Sequence, residues 1–144
     1  MRRLVLRGFL IVVVGFVAIQ LVPYGRSHAN PAVTSEPAWD SAQTRELAVR
    51  ACFDCHSNET NWPWYTNVAP ISWLTQRHVD QGRAKLNFST WGTSRQETEN
   101  LSRQMSSGAM PPWDYVLMHP DARLTYEEKA LLINGLQTTL GSGG

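Results

Sequence analysis

A chain of 144 residues with 13 basic and 12 acidic side chains carries a formal charge of +1, so it has no basic excess of the kind nucleic acid or an anionic membrane face selects. Arg2, Arg3 and Arg7 all lie at the start, which leaves the remainder close to neutral. Beyond a linker there remain about 100 residues, one small domain at the low end for an independent core.

After the arginines the chain runs from Gly8 to Val22 with Gln20 as its only strongly polar member. Counted from Leu4 to Val22, the run approaches the roughly 20 residues that cross a bilayer, and arginines on its N-terminal side favour a cytoplasmic N-terminus. Residues 1–23 are therefore expected to be a membrane anchor. That means one N-terminal transmembrane helix, with the rest of the chain on the periplasmic, extracytoplasmic side of the cytoplasmic membrane. A cleavable signal peptide is the rival, since Ser27-His28-Ala29 offers small residues at the two positions a peptidase reads. The length of the apolar run and the polar Tyr24-Gly25-Arg26 after it favour the anchor.

Residues 24–40 read as a linker. Pro31 and Pro37 with Gly25, Ser27, Asn30 and Ser35 leave no periodic apolar face, and the length would let a domain stand off the membrane. The remaining sequence has no internal repeat or low-complexity segment, apart from a flexible Gly141-Ser142-Gly143-Gly144 tail.

The domain, residues 41–140, reads as helices joined by loops. Asp40 or Ser41 caps a first helix that carries Glu46, Leu47 and Val49 into Cys52-Phe53-Asp54-Cys55-His56. CxxCH is the attachment signature of a c-type haem. Two thiols at this spacing each add to one vinyl group of the same porphyrin, and the next residue presents a neutral imidazole to the iron. These are also the only two cysteines. Three other readings compete. A thioredoxin-like redox pair expects a βαβ context, and no strand–helix alternation is visible. A structural zinc needs a fourth ligand from His28, His78 or His119, with no second cluster to supply it. A plain disulfide leaves His56 unexplained. One covalent haem c would also give so small a domain a large apolar body to pack around.

Further along, Pro70 opens a second helix through Ile71, Leu74, His78 and Val79 that ends near Gly82. Thr93 or Ser94 caps a third, with Leu101 and Met105, stopping at Gly108. Thr125-Tyr126-Glu127-Glu128 is a capping box for a last helix through Leu131, Leu132 and Leu136. No segment alternates with a period of two, so the expected class is all-α with no sheet.

A helix ending in Cys52–His56, a later Met110-Pro111 and a C-terminal helix opening at Leu124-Thr125 resemble the class I cytochrome c pattern over residues 41 to 138. Small membrane-anchored haem-binding domain proteins are a closer resemblance. It rests on Val22-Pro23-Tyr24-Gly25-Arg26, on Cys55-His56-Ser57-Asn58-Glu59-Thr60 with Trp62-Pro63-Trp64-Tyr65, on Gly82-Arg83 with Leu86-Asn87-Phe88-Ser89, and on His119-Pro120. The stretch from Trp113 to Arg123 departs from ordinary small cytochromes.

The resemblance implies His56 as the proximal iron ligand and Met110 as the distal one, where a thioether beside Pro111 is held stiffly. Met118 and His119 in the unusual stretch are the next candidates, then His78, which sits in a helical pattern. Met105 has the spacing of a core residue. Trp62, Trp64 and Tyr65, with Trp73, Trp91 and Trp113, either wall a porphyrin or pack an ordinary core. Arg83 or Asn87 is a candidate donor to a haem propionate.

Two functions are compatible with this pattern. The first is a monohaem c-type cytochrome carrying one electron between redox proteins or membrane complexes, without enzymatic chemistry, and compatible with membership of a larger respiratory or photosynthetic assembly. The alternative is a haem-based gas sensor or peroxidase with a vacant or labile sixth ligand. A Met ligand is available and no acid–base pair marks a vacant site, which favours the carrier.

Overall fold

A computed structural model describes residues 1–93 and 96–141. It divides into two compact units, Met1–Ala29 with Trp62–His78, and Asn30–Asn61 with Val79–Gly144. Among the described residues the regular elements are helical, and the extended pairing is an isolated parallel bridge between Ser35 and Thr90.

In the first unit, α1 spans Arg2–Ile19 with none of its residues buried. Among the described residues no helix is long and apolar enough to cross a membrane. This overturns the transmembrane helix expected for residues 1–23, and with it the single-pass, periplasmic-side placement. Arg2, Arg3 and Arg7 lie inside the helix rather than ahead of it. The uninterrupted apolar part, Gly8–Ile19, rises only about 18 Å at 1.5 Å per residue, against roughly 30 Å of hydrocarbon.

The residues after α1 are held in place. Gln20 Nε2 donates to the Ala69 carbonyl at 2.9 Å, while the Ala69 N–H donates to Gln20 Oε1 at 3.0 Å. His28 takes a φ of 46°, stacks on Trp62 at 4.7 Å and sets Nε2 3.0 Å from Thr66 Oγ1. A 3₁₀ turn, Trp64–Asn67, completes this unit together with the start of a long helix, Ile71–Lys85. That helix, whose last residues belong to the second unit, outruns the expected stop near Gly82.

The second unit is built on two capped helices. In α2 (Ala42–Ala51) the cap is Ser41, not Asp40: its hydroxyl accepts the Thr44 N–H at 3.1 Å. The last helix, Tyr126–Gly141, opens on the expected reciprocal box. The Glu128 N–H donates to Thr125 Oγ1 at 3.1 Å, and the Thr125 N–H to Glu128 Oε2 at 2.8 Å. The two helices touch at Gly135, where a Cβ would stand 2.0 Å from Thr44 Oγ1. Around this contact Leu47, Ala48, Phe53, Leu86, Phe88, Met105, Leu132 and Leu136 form the core. Burying large apolar side chains of this kind contributes about 1.5–3 kcal/mol each.

Between the short helix α3 (Phe53–His56) and the last helix, the chain departs from expectation twice. Counting Ile71–Lys85 as α4, the next helix, α5, is only Leu101–Ser106. Thr93 lies in a turn, and Ser94 falls outside the described residues, as do Ser142, Gly143 and Gly144 of the tail. The physical reason is competition: the Glu97 N–H donates to the Lys85 carbonyl at 2.8 Å and Gln96 Oε1 accepts the Asn87 N–H at 2.8 Å. Both bonds draw residues 96–97 into the loop. The second departure is a helix that the pattern did not suggest, α6 (Trp113–Met118), followed by a 3₁₀ turn, Pro120–Ala122, and then α7, Tyr126–Gly141.

Candidate functional site

The Cys52–His56 turn is where α2 stops and the chain tightens. Cys52 leaves helical geometry at φ −128°, and its carbonyl accepts two N–H groups, from Cys55 at 3.1 Å and from His56 at 2.9 Å. One turn of backbone therefore carries both thiols and the imidazole. Its intervening residues face elsewhere. Phe53 enters the core and stacks on Phe88 at 5.6 Å. The Asp54 carboxylate accepts the Asn61 N–H at 2.9 Å through Oδ1 and the Tyr115 hydroxyl at 2.7 Å through Oδ2.

A polar scaffold fixes the turn from below. The Phe88 N–H donates to the His56 carbonyl at 2.8 Å, and Ser57, fully buried, donates to the Phe53 carbonyl at 2.8 Å. Arg83 directs its guanidinium to the Ser57 carbonyl at 2.8 Å, Thr60 Oγ1 at 2.9 Å and Asn30 Oδ1 at 2.9 Å. Asn87 is buried, donating to Asn58 Oδ1 at 2.9 Å and accepting the Ser89 N–H at 2.9 Å. The two residues considered as propionate donors are thus engaged in bracing the loop after the motif.

Electrostatics keep the three reactive groups neutral. Burial pushes both the Cys52 and Cys55 thiols up to about 12, with Cys55 adding to the first and Asp54 and Asp114 to the second. Both are free thiols in the structure. A low-pKa nucleophilic thiolate, the mark of a redox pair, is the opposite condition. Burial also lowers the pKa of His56, against the opposing pull of the Leu86 and Gly82 carbonyls. Its Nδ1 lies 3.0 Å from the Leu86 carbonyl oxygen, which can only accept, so Nδ1 is the protonated nitrogen. A neutral ring in that tautomer presents Nε2 with a free lone pair. Among the described residues no three of His, Cys, Asp and Glu gather to hold a metal ion, whereas a structural zinc needs four ligands.

Beside the turn lies a cleft of about 570 Å³, whose lining includes Val49, Phe53, Asp54, Tyr115, Met118 and His119. Tyr115 and His119 stack at 4.0 Å, and His119 Nδ1 donates to the Tyr115 carbonyl at 3.0 Å. Burial, and then the bond to Asp54, raises the Tyr115 pKa, so the phenol stays protonated.

The structure sorts the remaining sequence candidates. Met118 and His119 line the cleft, whereas Met110 does not. Met110 sits on the turn between α5 and α6, 38% exposed, with its N–H donated to the Gln104 carbonyl at 3.1 Å. His78 belongs to the first unit. Met105 is a core residue, as its spacing suggests. Of the tryptophans, Trp91 packs against the core, Trp62 stacks on His28, and Trp64 and Trp113 are 78% and 79% exposed. Sequence reasoning missed Asp54 and Tyr115. The signal was there in the Tyr115–His119 spacing of four, which puts both rings on one helical face.

Comparison with known proteins finds a family to which the chain is similar. The model of a family described as a haem-binding domain covers residues 14–138. No curated protein matches, and no solved structure matches.

Proposed function

The chain belongs to the haem-binding domain family, and on that premise we propose that it is a c-type cytochrome whose single haem is held covalently by Cys52 and Cys55 and carries one electron between redox partner proteins. The observation that carries this reading is the His56 tautomer: Nδ1 is tied to the Leu86 carbonyl at 3.0 Å, so Nε2 is the nitrogen left for iron. The donor set suits the group. Two buried thiols in one turn match two vinyl positions, and each thiol would hold the ring by adding S–H across one double bond, with no oxidant required. When bound, the haem supplies an iron that cycles between ferric and ferrous states. The chain supplies the rest: it orients the imidazole, keeps the thiols protonated before attachment, and rigidifies the turn through Arg83, Asn58 and Ser89.

For the iron's remaining ligand we propose the Met110 thioether, with the Met118 thioether and the His119 imidazole as the alternatives that would hold the iron, and the His78 imidazole after them. A thioether ligand favours the ferrous state and suits a carrier better than an enzyme.

The test is retention. The purified holoprotein is denatured and extracted with acid and organic solvent. Haem should remain with the polypeptide, and Cys52→Ala combined with Cys55→Ala should release it. Haem that extracts freely from the unmutated protein overturns the covalent reading while leaving haem binding intact.

A further inference from the structure

α6 is poorly anchored by apolar packing. None of its residues is buried, and Trp113, Leu117 and Met118 are 79%, 67% and 51% exposed. Yet this short helix, with the residues on either side of it, carries every candidate axial side chain of the second unit. Met110, Met118 and His119 all lie within five residues of Tyr115. Among the polar ties from this segment to the Cys52–His56 turn, the short one is the Tyr115 hydroxyl, which donates to Asp54 Oδ2 at 2.7 Å, while His119 Nε2 stands 3.9 Å from the same oxygen. Asp54 cannot drift with α6, because its other oxygen holds the Asn61 N–H and its carbonyl accepts Thr60 Oγ1 at 2.7 Å. The Tyr115 ring is held in turn by His119, stacked at 4.0 Å.

We propose that Asp54 and Tyr115 are positioning residues that latch the segment from Met110 to His119 onto the cysteine turn, and thereby decide whether a side chain of that segment stays on the iron. The latch rests on the c-type reading for its axial consequence, and on the geometry alone for its mechanical one. A hydrogen bond to a carboxylate is among the stronger polar contacts a half-buried site offers, which suits a segment with little apolar burial.

The test uses the full-length holoprotein. Tyr115→Phe removes the hydroxyl and keeps the stacked ring. Amide exchange at Val116 and His119, whose N–H groups bond to the Pro112 and Tyr115 carbonyls, should speed up on the order of tenfold. Carbon monoxide should bind the ferrous protein faster by a similar factor. Leu132 and Leu136 in the core should exchange as before. Asp54→Asn, which can still bond both Tyr115 and Asn61, should preserve the slow behaviour, whereas Asp54→Ala should copy Tyr115→Phe. That pair reads the latch even if Tyr115→Phe fails to mature. Unchanged exchange at Val116 and His119 overturns the latch. Faster exchange with unchanged carbon monoxide binding overturns its axial role. Haem that extracts from the unmutated protein defeats the covalent reading instead, and the exchange measurement still reports on the latch.

Discussion

Gly82 of α4 and Cys55 meet backbone to backbone: a Cβ on Gly82 would stand 2.2 Å from the Cys55 carbonyl oxygen. No rotamer can relieve that contact, since neither partner is a side-chain end. One missing carbon therefore lets α4 pass close enough for the Leu86 carbonyl to hold His56. Gly82→Ala should cost about 1–3 kcal/mol of stability, the range for overpacking a filled site. Gly141→Ala, where a Cβ meets nothing within 4 Å, is the control and should leave the denaturation midpoint nearly unchanged. Chemical denaturation of both variants checks this, and equal midpoints would remove the packing argument.

A second prediction concerns acid. Arg45 grips Glu36 with two bonds of 2.7 Å, and the Trp39 indole adds a third at 2.7 Å. The Arg45 bond holds the Glu36 carboxyl below its ordinary value of 4.5. Its folded pKa is thus depressed, and below pH 4.5 the unfolded chain binds the extra proton. The pair's contribution is present above the unfolded pKa and is lost as pH falls through the folded one. Urea midpoints measured from about pH 6 down to about pH 3 should decline, and Glu36→Gln should flatten that decline. An identical slope in the variant would mean that other carboxylates carry the acid sensitivity.

The third prediction identifies the axial ligand. A ferric haem with a thioether ligand shows a weak far-red band from sulfur-to-iron charge transfer. If Met110 supplies it, Met110→Ala should erase the band, lower the reduction potential and open the iron to carbon monoxide. Met118→Ala should then change little beyond local packing. Loss of the band in Met118→Ala alone would move the ligand to α6, beside the cleft. A protein that lacks the band and takes up carbon monoxide readily would favour the gas-sensing or peroxidase alternative.

Several elements were legible from local pattern. Thr125 with Glu128, and Ser41 with Thr44, form caps because a short polar side chain reaches only its own helix's first N–H groups. Short-range chemistry of this kind is complete within a few residues of chain. The apolar run after Arg7 misled for the converse reason. Counting it from Leu4 admitted Arg7 into the span, and the helical rise of what remains falls short of a bilayer.

Residue order by itself determined the helical class, the caps of α2 and α7 and the cysteine–histidine spacing from which haem binding was read, since each depends on neighbours a turn or less apart. The tertiary fold alone decided what Arg83, Asn87, Gly82, Asp54 and Tyr115 do. Arg83 meets Ser57 across 26 positions, Asn87 meets Asn58 across 29, and Tyr115 meets Asp54 across 61. A side chain's bonding capacity is written in its chemistry, but its partner is chosen only when packing brings distant backbone within about 3 Å.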